Sequence, residues 1–270
     1  MNARGDTLKP FVQAAEELAR AAGTLLQQFR ARPELRAESK GRRRELVTQA
    51  DREAERVIVG GLQTRFPGHG VLAEEGVLTQ AGVASTASEW LWIVDPLDGT
   101  TNFVHGLPNF AVSIALAHCG VPVVGVVHAP ALGDTWVAAT GIGAFRNGAA
   151  VAVSTTGELA DALLATGFSY NRNEPGRDDN SQRLARVLPQ CRDLRRFGSA
   201  ALDLCMVGGG IFDGYWELYL APYDVAAGAV VVQQAGGVVS DLRSGDDWLH
   251  GGSIVAANAA LHAALRSALQ

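Results

Sequence analysis

Cysteine is scarce in this chain: Cys119, Cys191 and Cys205 are the only three, and none falls in a C-x-x-C or other metal-ligand spacing. An odd count without such a motif fits small buried thiols in a reducing compartment. None of the three is followed six positions later by arginine, so the usual cysteine-phosphatase loop is absent. Lysine is scarcer still. Lys9 and Lys40 stand alone, and neither closes a phosphate-binding P-loop, which excludes a Walker-type nucleotide hydrolase. The histidines at 69, 105, 118, 128, 250 and 262 form no close metal pair along the sequence. No apolar run reaches the ~18 residues of a membrane helix. The N-terminal stretch carries acids early and lacks the unbroken apolar core of a signal peptide. These features together predict a cytoplasmic protein with no membrane partner.

What remains is a globular composition. The chain has 270 residues, 47% hydrophobic and 19% charged, enough for one large domain or two closely packed subdomains. A net charge of -5 leaves no overall basic footprint, so nucleic acid is not expected as a partner. Leu8, Phe11, Val12, Ala15, Leu18, Ala22, Leu25, Leu26 and Phe29 recur at three- and four-residue steps and predict an amphipathic helix. The polar, basic stretch from Arg32 to Glu45 reads as a loop, and a second helix is expected from about Thr48 to just before Pro67. Apolar runs at 71–73, 90–94, 111–117, 121–127 and 134–139 predict an antiparallel meander, with Asn147-Gly148 as a hairpin signal. After about residue 159 short strands alternate with helices, an α/β pattern. We place the boundary near residue 155, with an α+β subdomain over 1–155 carrying a metal motif and an α/β subdomain over 156–270 completing the site.

The densest chemical signal runs from Trp92 to Phe103. A buried strand delivers Asp95 to its end, Pro96 is expected to close the hydrogen-bond ladder, and Asp98 returns to the same spot. Two carboxylates at one strand end repel unless a cation neutralises them. All-oxygen donors with few protein ligands suit Mg²⁺ better than Ca²⁺. Gly99 lets backbone approach a ligand closely, and the amides of Gly99 and Thr100 would form an anion site if they open a helix.

Other acids carry weaker signals alone. Glu74 and Glu75 close an apolar strand, with Glu74 the better candidate for an inward carboxylate. Thr48-Gln49-Ala50-Asp51 reads as a helix capping box, or else as the place where Asp51 orients a catalytic hydroxyl. Asp224 opens an apolar helix as a cap or a ligand, and Glu217 interrupts an aromatic strand, where it would bind substrate hydroxyls or face solvent. Gly198-Ser199-Ala200-Ala201 reads as a helix start whose backbone amides could also meet a ligand, and Arg195-Arg196 before it as a phosphate-seeking or, more simply, a solvated pair. Two residues separate Asp95 from Asp98, whereas an aspartyl-phosphate enzyme needs a gap of one. With no covalent nucleophile to nominate, a metal-activated water is the remaining candidate.

These segments are recognisable together. Asp95-Pro96-Leu97-Asp98-Gly99-Thr100-Thr101-Asn102-Phe103 resembles the signature of the inositol monophosphatase family. Asp224 to Gly228, with Ala235-Gly236-Gly237 beyond, resembles its second signature. Ala73-Glu74-Glu75, the Leu46-to-Asp51 segment and Gly198 to Asp203 match in the same order, so the resemblance spans nearly the whole chain. It implies a layered α-β-α-β-α sandwich, with an antiparallel N-terminal sheet, a smaller mixed or parallel C-terminal sheet, and a homodimer. It further implies two to three Mg²⁺ ions: Glu74, Asp95 and the Leu97 carbonyl for the first, Asp95, Asp98 and Asp224 for the second, and Glu74 for a third. Thr100 and Asp51 would form a hydroxyl–carboxylate pair at the attacking water. Asp98, Gly99 and Thr100 would meet the substrate, and Glu217 and the backbone near Ala200 would receive its hydroxyls.

The resemblance thus implies lithium-sensitive hydrolysis of a small phosphorylated polyol or sugar, with inositol-1-phosphate the leading substrate. Histidinol phosphate, fructose-1,6-bisphosphate and nucleotide 3′-phosphates are alternatives. Some bacterial relatives resemble regulators that bind transcription machinery and ribosomal RNA factors. Two departures stand out. Tyr223 occupies a position where the family commonly has Trp, and Arg42-Arg43-Arg44 makes the loop before Asp51 unusually basic, either to attract doubly charged phosphates or as a solvated loop.

Overall fold

The computed structural model describes residues 3–31, 37–39, 46–76, 88–170, 174–243 and 245–270. The chain opens with helix α1 (Ala3–Arg30), whose periodic apolar stripe lies buried as its spacing predicts, from Leu8 through Leu18, Ala22 and Leu26 to Phe29. Two short strands, β1 (Ala37–Ser39) and β2 (Leu46–Thr48), pair antiparallel and lead into helix α2 (Gln49–Arg65). The expected loop over 32–45 is therefore interrupted by strand at 37–39, while Arg42–Arg44 lies outside the described residues.

A seven-stranded sheet follows, in the order β3 (Gly70–Ala73), β4 (Trp90–Asp98), β5 (Ala111–His118), β6 (Val121–Ala129), β7 (Asp134–Ala139), β8 (Gly143–Arg146) and β9 (Ala149–Ala150). From β4 to β9 it is the expected antiparallel meander. The edge strand β3 departs from it and pairs parallel to β4, with Ala73 opposite Val94. Two of its turns place consecutive residues at positive φ: Asn147 at 50° with Gly148 at 80°, and Cys119 at 50° with Gly120 at 80°. Both match the twist that favours two-residue hairpins.

Between β4 and β5 lies a one-turn helix, α3 (Thr100–Val104). The second half builds a five-stranded sheet in the order β11-β10-β12-β14-β13. Its strands are β10 (Leu163–Thr166), β11 (Asp193–Arg195), β12 (Gly214–Leu218), β13 (Gly237–Ser240) and β14 (Ser253–Asn258). β10 runs parallel to both β11 and β12, and the β12–β14 and β13–β14 pairs are antiparallel, so the sheet is mixed. Strand β11 had no signal in the sequence, because three residues within a charged stretch show no period. The helices of this half are α4 (Ser181–Val187), α5 (Ala200–Gly208), α6 (Pro222–Gln234) and α7 (Ala259–Ala268).

Three apolar clusters define the layers. One joins α1 and α2 to the outer face of the large sheet around Trp92, Ile114 and Val126. A central one packs α5 and α6 between the two sheets, and a third fills the space between the small sheet and α7. The result is the layered α-β-α-β-α sandwich. Helix α6 reads as apolar almost all round because it is covered on both sides; Val225 to Val232 are all buried. It lies directly on β6, where a Cβ on Gly125 would come within 2.3 Å of the Ala227 carbonyl oxygen, a contact only glycine permits.

Candidate active site

The parallel pairing of β3 and β4 makes both strands end at the same edge. Ala73 lies opposite Val94, and the Glu74 amide donates to the Val94 carbonyl at 3.2 Å, so Glu74 and Asp95 emerge side by side. In a regular strand Asp95 and Asp98, three positions apart, would point to opposite faces. They do not, because Asp95 pairs with Ser113 and Asp98 with Ala111, which leaves one extra residue on β4. This β-bulge turns both carboxylates to one side. The ladder therefore does not stop at Pro96, as the sequence suggested; proline, with no amide to donate, sits inside the bulge. The Leu97 amide donates to Asp95 Oδ1 at 2.9 Å and fixes that carboxylate.

Asp224 arrives from the other half. It stands in the first turn of α6, where Oδ2 accepts the Ala221 amide at 2.6 Å, so the helix-cap role is real. Its position also brings a carboxylate oxygen within 4.8 Å of those of Asp95 and Asp98. One side chain serves both purposes. Asp98 is held by the start of α5: the Ser199 hydroxyl donates to its Oδ2 at 2.6 Å and the Ala201 amide at 2.8 Å. The α5 amide that the sequence offered to a ligand is thus taken by Asp98, and Ala200 lines the cleft beside it.

Asp51 also combines two roles. Its Oδ2 accepts the Thr48 amide at 2.8 Å and hydroxyl at 2.5 Å, completing the capping box. Its Oδ1 faces the Thr100 hydroxyl at 3.1 Å, and that hydroxyl is equally 3.1 Å from the Leu97 carbonyl oxygen. Thr100 opens α3 immediately after Gly99, whose φ of 93° and whose tight fit against the Asn109 carbonyl, 2.8 Å from a notional Cβ, both demand glycine.

Glu74, Asp95, Asp98, Thr100 and Asp224 line a cleft of about 200 Å³ together with Arg196, Glu217, Tyr170, Tyr219 and Tyr223, and Asp51 lies buried behind Thr100. Glu217 accepts a hydrogen bond from Tyr215 at 2.5 Å. Burial raises the acids: Asp98 to about 6, Glu217 to about 7, and Asp95 and Asp224 well above the ordinary carboxylate range. In Asp95, desolvation is followed by repulsion from Glu74, Asp98 and Asp224. Without a cation the cluster holds extra protons, and Glu74 shares a hydrogen bond with Asp95. Carboxylates so crowded and so dry, offering only oxygen donors, fit hard divalent cations.

A model of the inositol monophosphatase family matches residues 7–270. The chain belongs to the inositol monophosphatase family. It is 40% identical to the Inositol-1-monophosphatase of Mesorhizobium japonicum over 99% of this chain and 97% of the relative. It is 39% identical to the Nus factor SuhB of Pseudomonas aeruginosa over 97% of each. Among solved structures, the inositol monophosphatase from Anabaena superposes with a TM-score of 0.87 at 38% identity, covering 97% of this chain and 96% of that one. The family assignment makes the protein a phosphatase by kinship and implies a phosphorylated substrate and divalent metal ions.

Three residues in and around the cleft were left ambiguous or unread in the sequence. Of the Arg195-Arg196 pair, read as phosphate-seeking or more simply as solvated, Arg196 lines the cleft, while Arg195 pairs with Asp193 at 2.7 Å on the surface. Asn102 ties α3 to the neighbouring loops by donating to the carbonyls of Asn109 at 2.6 Å and Phe197 at 2.7 Å. Glu55 accepts the Glu75 amide at 2.7 Å and so steadies the end of β3. Its signal was available: an acid four residues after Asp51, on a helix stripe with Ala54 and Ile58, belongs to a buried face.

Proposed function

We propose that this chain is a Mg²⁺-dependent phosphomonoesterase whose preferred substrate is inositol-1-phosphate or a closely similar polyol phosphate, acting in the cytoplasm as a homodimer and inhibited by lithium. The observation that carries the reading is the convergence of Asp95, Asp98 and Asp224, from two halves of the chain, beside the Asp51–Thr100 pair. Glu74, Asp95 and the Leu97 carbonyl would hold one Mg²⁺, and Asp95, Asp98 and Asp224 a second, with Glu74 turned also toward a third. Ions so held supply charge neutralisation and a more acidic water.

The protein's own groups do the rest. Asp51 takes a proton from, or orients, the Thr100 hydroxyl, which in turn aligns the attacking water for in-line displacement. The backbone at Gly99 and Thr100 receives phosphate oxygens. Glu217, at about 7, is an acceptor for substrate hydroxyls, as is the backbone at Ala200. Residues 1–155 bring Glu74, Asp95 and Asp98, and residues 156–270 bring Glu217 and Asp224. The test is phosphate release across inositol, histidinol, fructose-1,6-bis- and nucleotide 3′-phosphates, with Mg²⁺ and with lithium added. Preference for inositol-1-phosphate with lithium inhibition upholds the proposal; preference for another ester reassigns the substrate.

A second reading, a regulatory binding role, is favoured by the name Nus factor carried by the Pseudomonas relative. It is tested by Asp95→Asn in the producing cell. A phenotype rescued by the inactive variant separates binding from hydrolysis.

A further inference from the structure

At the opposite end of β4 from the catalytic cleft, three donor side chains converge that sequence spacing did not bring together. The hairpin joining β5 to β6 presents His118 and Cys119, and Glu89 precedes β4 across from it. A carboxylate oxygen of Glu89, a ring nitrogen of His118 and the Cys119 sulfur lie within 4.8 Å of one another. We infer that Glu89, His118 and Cys119 form a surface site for a thiophilic divalent cation of the Zn²⁺ class, with water completing its shell.

The donor set decides the metal. Thiolate, imidazole and carboxylate together match borderline cations, and the sulfur sets the site apart from the all-oxygen cluster of the cleft. The geometry is close to ready. His118 Nε2 and Glu89 Oε1 are 3.1 Å apart, near the roughly 3.3 Å edge of a tetrahedron whose metal bonds are about 2 Å. The His118 ring is held by the Trp90 indole, stacked with centroids 4.2 Å apart, and the Cys119 amide donates to the Glu89 carbonyl at 2.7 Å. These two contacts fix the spacing of all three residues before any ion arrives. Cys119 is exposed and unbridged, and it fills the first position of a two-residue turn where Asn or Asp before Gly is the favoured choice. The turn by itself gives no reason for a thiol. Asp95 lies five positions beyond Trp90 on β4, about 17 Å along the strand, so this site and the cleft are independent.

The test uses the full-length, chelator-stripped protein with Mg²⁺ in excess, titrated with Co²⁺. The expected result is a near-ultraviolet thiolate-to-cobalt charge-transfer band that saturates at one equivalent and is erased by Zn²⁺. Cys119→Ser abolishes it, and Cys191→Ser leaves it intact. His118→Asn and Glu89→Gln weaken cobalt binding, His118→Asn by more than the roughly tenfold loss that follows removal of even a supporting hydrogen bond at a metal site. Circular dichroism confirms that each variant is folded. Absence of the band at saturating Co²⁺, its persistence in Cys119→Ser, or its undiminished strength in His118→Asn overturns the inference.

Discussion

Single side chains in this protein carry two duties, and that is where residue-scale predictions belong. Asp95 is fixed by the Leu97 amide and faces Glu74, Asp98 and Asp224. Asp95→Asn keeps the size and the hydrogen bond but removes the charge. Turnover is expected to fall about 10³-fold or more, with folding by circular dichroism unchanged. Thr100→Val removes the hydroxyl facing Asp51 at nearly constant volume. Phosphate release should fall about 10²-fold or more, chiefly in kcat, and Thr100→Ser should restore most of it. The acids of the cleft were legible in the sequence because their chemistry is written in their type and their place at the ends of apolar runs. Arg196 was not, because its neighbour Arg195 made a surface pair the simpler reading, and only the fold shows which of the two turns inward.

Elements are where the sequence became ambiguous. The long periodic helices α1 and α2 were readable because burial of one stripe imposes a 3.6-residue rhythm. The direction of β3 was not, since four apolar residues look the same in a parallel or an antiparallel pair, and the partner lies beyond an intervening stretch. Nor was the bulge, which is a property of register between β4 and β5 rather than of either strand alone. Both features aim carboxylates, so the part of the site hardest to read was its geometry, not its membership. The joint between β4 and α3 is sensitive at Gly99. Gly99→Ala would hold a side chain at φ 93° and press Cβ against the Asn109 and Gly198 carbonyls at 2.8 and 3.3 Å. The expected cost is about 1–3 kcal/mol, seen as a lower Tm, with activity lost even below the melting range.

The whole molecule stores repulsion in its cleft, and stability should depend on pH and metal together. Asp98 at about 6 and Glu217 at about 7 bind protons in the folded state that an unfolded chain releases near pH 4. Between about pH 4 and 7 the unfolded state therefore binds fewer protons, and the stability of the metal-free protein falls as pH rises through this window. Below it the penalty is absent, and above it the loss is complete. Each group contributes on the order of 3 kcal/mol. Melting curves in chelator from pH 5 to 8 should show the decline, and Mg²⁺ should raise Tm most at the alkaline end; an equal Mg²⁺ effect at both ends would exclude the coupling. The change from a strand meander to alternating strands and helices after about residue 159 was legible, because it reports local periods summed over many residues; the order of the layers came only from the family resemblance.

Helix α6 is at once the middle layer of the sandwich and the bearer of Asp224. The first two hundred residues hold every strand of the large sheet, yet they lack both the helix wedged between the sheets and the last carboxylate of the cluster. A chain that stops before residue 222 therefore leaves the Asp95–Asp98–Asp224 cluster incomplete.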